Sequence, residues 1–136
     1  MIKKADLASA LRNNAQAIAN ANSYNLIVDG REYKPSSTEE YTTEHTLFGD
    51  DNKIGMEDGS NDFQIGIYQL TVNVPRNKSN LRALDIVDTF TLGFVRGTEL
   101  TVNGQMVRMM ESSVTALNYN QTHLMYAISI KYSVIH

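Results

Sequence analysis

Leu124, Tyr126, Ile128, Ile130, Tyr132 and Val134 occupy every second position near the C-terminal end, separated by Met125, Ala127, Ser129, Lys131 and Ser133. A period of two sends successive side chains to opposite faces of a strand. Extended, the run reaches roughly 36 Å. A strand that long with one strongly apolar face belongs in the middle of an antiparallel sheet, with other elements covering that face.

A second strand is expected from Phe63 to Val74. Phe63, Ile65 and Ile67 share one face, whereas Leu70, Val72 and Val74 have the opposite parity. That phase slip near Tyr68-Gln69 predicts a β-bulge or a strand buried on both faces. Pro75 ends the ladder. Asn103-Gly104 joins Glu99–Val102 to Gln105–Met109, the strongest hairpin signal in the chain. Ser112–Leu117 reads as a further extended run, followed by an Asn118–Gln121 turn. Asp29-Gly30 predicts a hairpin between Leu26–Val28 and Arg31–Tyr33, closed by Lys34-Pro35. Tyr41–Phe48 suits another strand.

Two segments have helical period. From about Ala5 to Asn22, Leu7, Leu11, Ala15 and Ile18 fall on one face, opposite Arg12, Asn13, Asn14, Gln16 and Asn20. From about Asn80 to Gly93, Leu81, Leu84, Val87 and Thr91 form one stripe and Ala83, Ile86, Val87, Phe90 and Phe94 a second. So wide a stripe predicts a well buried helix. Ser79 is placed as its N-cap, and Gly93 and Gly97 as its stop. The order helix, strands, helix, strands gives an α+β fold: a mostly antiparallel β-sheet with two helices packed on one face. No repeat is visible, so residues 1–136 read as a single domain, a size that buries roughly two thirds of the unfolded chain's surface.

Apolar residues make up 42% and charged residues 20% of the chain, which suits a globular protein. No run is long and apolar enough for a membrane span, and Asp6 and Arg12 interrupt what would be the core of an export signal. The Asn77-Lys78-Ser79 and Asn120-Gln121-Thr122 glycosylation triplets are therefore read as chance matches. The net charge of −3 argues against specific nucleic-acid binding.

Every candidate for chemistry fails on a named residue. There are no cysteines. His45, His123 and His136 have no second ligand at metal spacing. Ser9, Ser112 and Ser113 lack a nucleophile-elbow context, and no Gly-rich loop precedes a helix. Gly49–Asp62 reads as a long acidic loop, with Asp50, Asp51, Glu57, Asp58 and Asp62 against Lys53. Aligned as a Ca²⁺ loop from Asp50, it offers Asn52 and Gly55 correctly, but Ile54 and Asn61 stand where an oxygen ligand and a bidentate Glu are required. Asp85 and Asp88 lie on one helical face and read as solvent-facing. Neither a cofactor nor a metal is expected. Arg76, Lys78 and Arg82 gather cations at the start of the second helix, against the preference of its dipole. That pattern reads either as surface charge tolerated at a cost of about a few tenths of a kcal/mol per cation or as a site for an acidic partner, which the acidic segment of another copy would supply.

Ile65-Gly66-Ile67-Tyr68-Gln69-Leu70-Thr71-Val72-Asn73-Val74-Pro75, the polar loop Arg76–Asn80, the helix running into Phe94-Val95-Arg96-Gly97-Thr98-Glu99-Leu100, the Asn103-Gly104 hairpin and the strand ending Ile128–Tyr132 resemble the bacteriophage tail terminator family. The N-terminal helix and Tyr33-Lys34-Pro35 fit as well, so the resemblance covers nearly the whole chain. It implies a structural virion protein, not an enzyme, made in the host cytoplasm. Such a protein forms a ring, a hexamer, on the end of the tail tube, stops tube polymerisation and offers the head–tail joining surface. The implied partners are further copies of the chain, the tail tube protein, the head–tail connector protein and, where the tail contracts, the sheath protein. On this reading Asp50, Asp51, Glu57, Asp58 and Asp62 meet Arg76, Lys78 and Arg82 at the subunit interface. Another neck or connector protein, and a small-molecule-binding α+β domain, are the competing readings.

Overall fold

The computed structural model describes residues 2–36, 38–53, 62–76, 79–117 and 122–135. Helix α1 spans Lys4–Asn22 and α2 spans Asn80–Gly93; the strands are β1 Leu26–Ile27, β2 Tyr41–Lys53, β3 Asp62–Pro75, β4 Glu99–Val102, β5 Gln105–Ala116 and β6 His123–Ile135. They form a sheet in the order β1-β2-β3-β6-β5-β4, with β1–β2 parallel and the other pairs antiparallel. This is an α+β fold with β6 inside the sheet, as its alternation requires.

The buried cluster joins Leu7, Leu11, Ala15 and Ala19 of α1 and Ala83, Ile86, Val87 and Phe90 of α2 to alternate residues of β3 and β6: Tyr68, Leu70, Val72 and Val74, and Ile128, Ile130, Tyr132 and Val134. Ser79 caps α2, its hydroxyl accepting the Leu81 N–H at 3.1 Å. Gly93 lets the helices approach, since a Cβ there would run into Ile18. Asn14 then donates to the Gly93 carbonyl at 3.0 Å. Gln64 pairs with the backbone of Ile2 in both directions, accepting from its N–H at 2.8 Å and donating to its carbonyl at 3.0 Å. That satisfies all four groups inside the core.

Several expectations need correction. Asn103 (φ 51°) and Gly104 (φ 79°) form the anticipated hairpin turn. Asp29-Gly30 also turns, Arg31 donating to the Val28 carbonyl at 3.2 Å. However, only Gly30 has positive φ there, and no strand follows. A two-residue β1 pairs parallel with Thr42 and Thr43 instead, because Leu26 and Ile27 are buried while Arg31 and Glu32 are exposed. The acidic segment is shorter than read: β2 continues through Gly49–Lys53 and β3 begins at Asp62. Tyr68-Gln69 holds no bulge, for β3 pairs with β6 in unbroken register from Gln64 to Pro75. The phase slip arises because Ile65 and Ile67 face the other side of the sheet. The expected runs on either side of Met110 are one strand, β5, with a register shift between Met109 and Ser112. On α2 only the second stripe is buried; Leu81 is 71% exposed.

Candidate assembly surface

Two register shifts lie at one level of the sheet. β2 is irregular between Phe48 and Asp51, and β5 between Met109 and Ser112. Phe48 stands opposite Gly66, Gly66 opposite Tyr132, and Tyr132 opposite Met109, so both irregularities border one row. A bulge adds a residue on one side and increases bend and twist. The centre of that row is tight. A Cβ on Gly66 would collide with the Tyr132 hydroxyl and lie 2.6 Å from the Leu47 carbonyl oxygen, and one on Gly49 would lie 2.5 Å from the Ile65 carbonyl oxygen.

Beside this row is a hollow of about 590 Å³, whose lining includes Leu47, Ile65, Ile67, Met110, Glu111 and Lys131. Leu47, Ile67 and Lys131 are cross-strand neighbours and lie on the face opposite Tyr68 and Leu70. Leu47 and Ile65 are more than 40% exposed and Met110 is 37% exposed. The Lys131–Glu111 pair at 3.4 Å rims these apolar groups. Such a patch with a charged rim has the make-up of a contact surface.

The charged segments occupy opposite ends of the longest strand. Asp50 and Asp51 are in the last part of β2, paired beside the start of β3, where Asp62 stands. Arg76 follows the last residue of β3, and Arg82 lies in the first turn of α2. Fourteen residues of β3 separate the two ends by about 45 Å. Glu57, Asp58 and Lys78 lie outside the described residues, as do Gly55 and Asn61 of the Ca²⁺-loop alignment, both glycosylation asparagines and His136. Arg82 already holds an acid within the chain: Nε and Nη2 donate to the Glu40 carboxylate at 3.0 Å each, and these bonds raise the guanidinium's pKa. Asp85 and Asp88 are exposed on α2, Asp85 standing 3.8 Å from Arg82.

The histidines have structural surroundings. His123 is buried, with Nδ1 at 2.8 Å from the Thr122 hydroxyl and Nε2 at 2.8 Å from the Glu39 carbonyl, its ring edge-on to Tyr41. His45 is exposed beside Asp29 at 3.0 Å. The ionic group that pattern reading missed is Glu44, whose buried carboxylate meets Arg12 Nε at 2.5 Å and accepts from the Asp29 N–H at 3.1 Å and from the Tyr68 hydroxyl. Burial, with the Glu44 hydrogen bond second, pushes the Tyr68 phenol up beyond its ordinary range. An acid on a Thr-rich run, with its cation 32 positions away, gives no local signal. Among the described residues no group of His, Asp and Glu is arranged to hold a metal, and no helix is long and apolar enough to cross a membrane.

Open apolar surface with a charged rim is thus the main feature of the face opposite Tyr68 and Leu70. A family model described as phage tail terminator protein matches residues 6–132, and the chain belongs to that family. No curated protein matches it in sequence. Solved structures that share its fold include two that span nearly the whole chain. One, a protein without a descriptive name, has a TM-score of 0.80 at 14% identity, covering 98% of this chain and 96% of its own. The other is a chain of the virion of a native gene transfer agent particle, with a TM-score of 0.59 at 10% identity, covering 96% and 95%.

Proposed function

We propose that the protein is a structural component of a phage virion that closes into a ring, a hexamer, on the end of the tail tube, stops tube polymerisation and provides the head–tail joining surface. Family membership over residues 6–132 supports the terminator role, and the shared fold with a gene transfer agent virion chain agrees with a place in a particle. Its partners are its own copies, the tail tube protein, the head–tail connector protein and, in a contractile tail, the sheath protein. It is made in the host cytoplasm and acts without catalysis or cofactor. Both helices cover one face of the sheet, which leaves the Leu47–Ile65–Ile67 face for other chains.

The observation that carries the assembly reading is the separation of charge. In sequence the acidic set is Asp50, Asp51, Glu57, Asp58 and Asp62 and the basic set Arg76, Lys78 and Arg82. Asp62 at the start of β3 and Arg76 just past its end stand about 45 Å apart. They cannot meet within a copy, but one copy's acidic end fits an adjoining copy's basic end, a heterologous contact. Exposed ion pairs contribute about 0 to 1 kcal/mol each, so they set register and apolar contact supplies affinity. Reversing Arg76 and Lys78 to Glu leaves the Arg82–Glu40 bonds intact. The expected result is a lower mass by light scattering at low salt; an unchanged mass sinks the charged contact.

A further inference from the structure

The two rims of the sheet are each half covered, in complementary halves. On the side away from β6, β4 pairs with residues 105–108 of β5, and Met109 exchanges hydrogen bonds with Gly97 and Thr98. Beyond Met109, no strand among the described residues pairs with that side of β5. The Leu117 N–H donates to the Met125 carbonyl at 2.9 Å, toward β6. By alternation, the N–H and C=O groups of Ser112, Val114 and Ala116 point the other way, out of the sheet. Residues 110–116 are exposed on both faces and carry one charge, Glu111, with no Lys or Pro. Proteins that keep edge strands apart usually place such blunting residues there.

The other rim is β2. β1 covers only Thr42 and Thr43, and residues 45–53 have no strand on their outer side among the described residues. Three successive antiparallel steps separate β2 from β5, so the two rims run in opposite directions. A second copy set alongside in the same orientation therefore presents its β2 antiparallel to β5. The open part of β5 lies level with residues 66–72 of β3, traced from Met109 through Tyr132 to Gly66 and from Ala116 through Tyr126 to Val72. The open part of β2 lies level with residues 62–69. A slide of a few residues brings the open stretches together, with β4 below the incoming strand and β1 above it. A constant slide from copy to copy is what tilted strands need to close a ring.

We propose that residues 112–116 of β5 pair antiparallel with residues 45–53 of β2 in the next copy, so that the sheet continues across each subunit boundary. The inference rests on the ring reading and supplies its closing contact. Side-by-side closure leaves Asp62 and Arg76 on opposite rims of the ring, so this edge contact and the charged contact are rival ways to close it, and a chain carrying Arg76→Glu and Lys78→Glu keeps its ring if the edge closes it. Val114→Pro removes an outward N–H without touching a bond to β6, and Val114→Lys keeps the N–H but adds the charge that blunts an edge. Sedimentation velocity at matched high concentration gives rings for wild type and monomers for both variants, with wild-type circular dichroism retained. Hydrogen exchange in 110–117 slows in wild-type rings at least tenfold relative to the monomeric variants. Rings that persist in both variants, or exchange in 110–117 that is equally fast in ring and monomer, overturn the edge contact and leave the ring standing. Wild type that stays monomeric overturns the ring and this contact together.

Discussion

Arg12→Met leaves the Glu44 carboxylate without its cation in a site where the acid's side chain is 1% exposed. Removing one partner of a buried pair typically costs about 3 to 5 kcal/mol. Two features reduce that here. The Arg12 side chain is 38% exposed, so solvent already screens it, and the Asp29 N–H and Tyr68 hydroxyl remain as donors. The expected loss is about 2 to 3 kcal/mol. With a urea slope of about 1.5 kcal/mol per M, the unfolding midpoint falls by about 1.3 to 2 M. Glu44→Gln in the same background removes the stranded charge while keeping an oxygen for the Asp29 N–H. The double variant should therefore recover at least about 1 kcal/mol relative to the sum of the single losses. Urea titrations followed by circular dichroism, at a concentration where each variant has the same mass, read the cycle. A midpoint within about 0.3 M of wild type for Arg12→Met, or strict additivity of the two changes, refutes the buried-pair argument.

Two further outcomes follow from the same geometry. Unfolded Tyr68 loses its proton near the ordinary value of 10.0, whereas the folded phenol keeps it to higher pH. The unfolded state thus binds fewer protons above that point, and stability falls as pH rises, by about 1.4 kcal/mol per pH unit from this residue. Tyr68→Phe removes about half a proton at pH 10, rising to about nine-tenths at pH 11, from the slope of stability against pH, and urea midpoints across that range should show it; an unchanged slope counts against the assignment. Gly66→Ala forces a Cβ onto the Tyr132 hydroxyl and the Leu47 backbone oxygen and should cost about 3 kcal/mol by thermal or urea melting. A loss below about 0.5 kcal/mol would mean that the row relaxes freely.

The elements were legible where one physical cause wrote the pattern. β6 alternates because one face is buried, and α1 repeats because Leu7, Leu11 and Ala15 meet the core. Asn103-Gly104 announced its turn because both residues take positive φ. The errors share a different cause. Ile65 and Leu81 are apolar yet exposed, and Ile67 is only half-buried; apolar pattern alone cannot tell a face covered by the chain from one left open. Neither bulge has a sequence mark, since an extra residue matters only against the partner strand's count. The Glu44 site was silent for a similar reason: helix α1, strand β2 and the turn at Asp29 each supply one group. The composition of the charged segments was legible, whereas the distance from Asp62 to Arg76 depends on the length of β3.

The paired bulges make the depth of the hollow a matter of counting residues rather than choosing them. Deleting one residue from the Gly49–Asp50 step, or from Met110–Glu111, restores two-for-two matching with β3 or β6. Residues beyond the deletion keep their partners and so their faces, and only the extra bend of the bulge is lost. Point substitutions away from Gly49 and Gly66 can repaint the hollow. Its curvature changes only by whole-residue insertions and deletions, so variants of this surface should differ in strand length at that level before they differ in shape anywhere else.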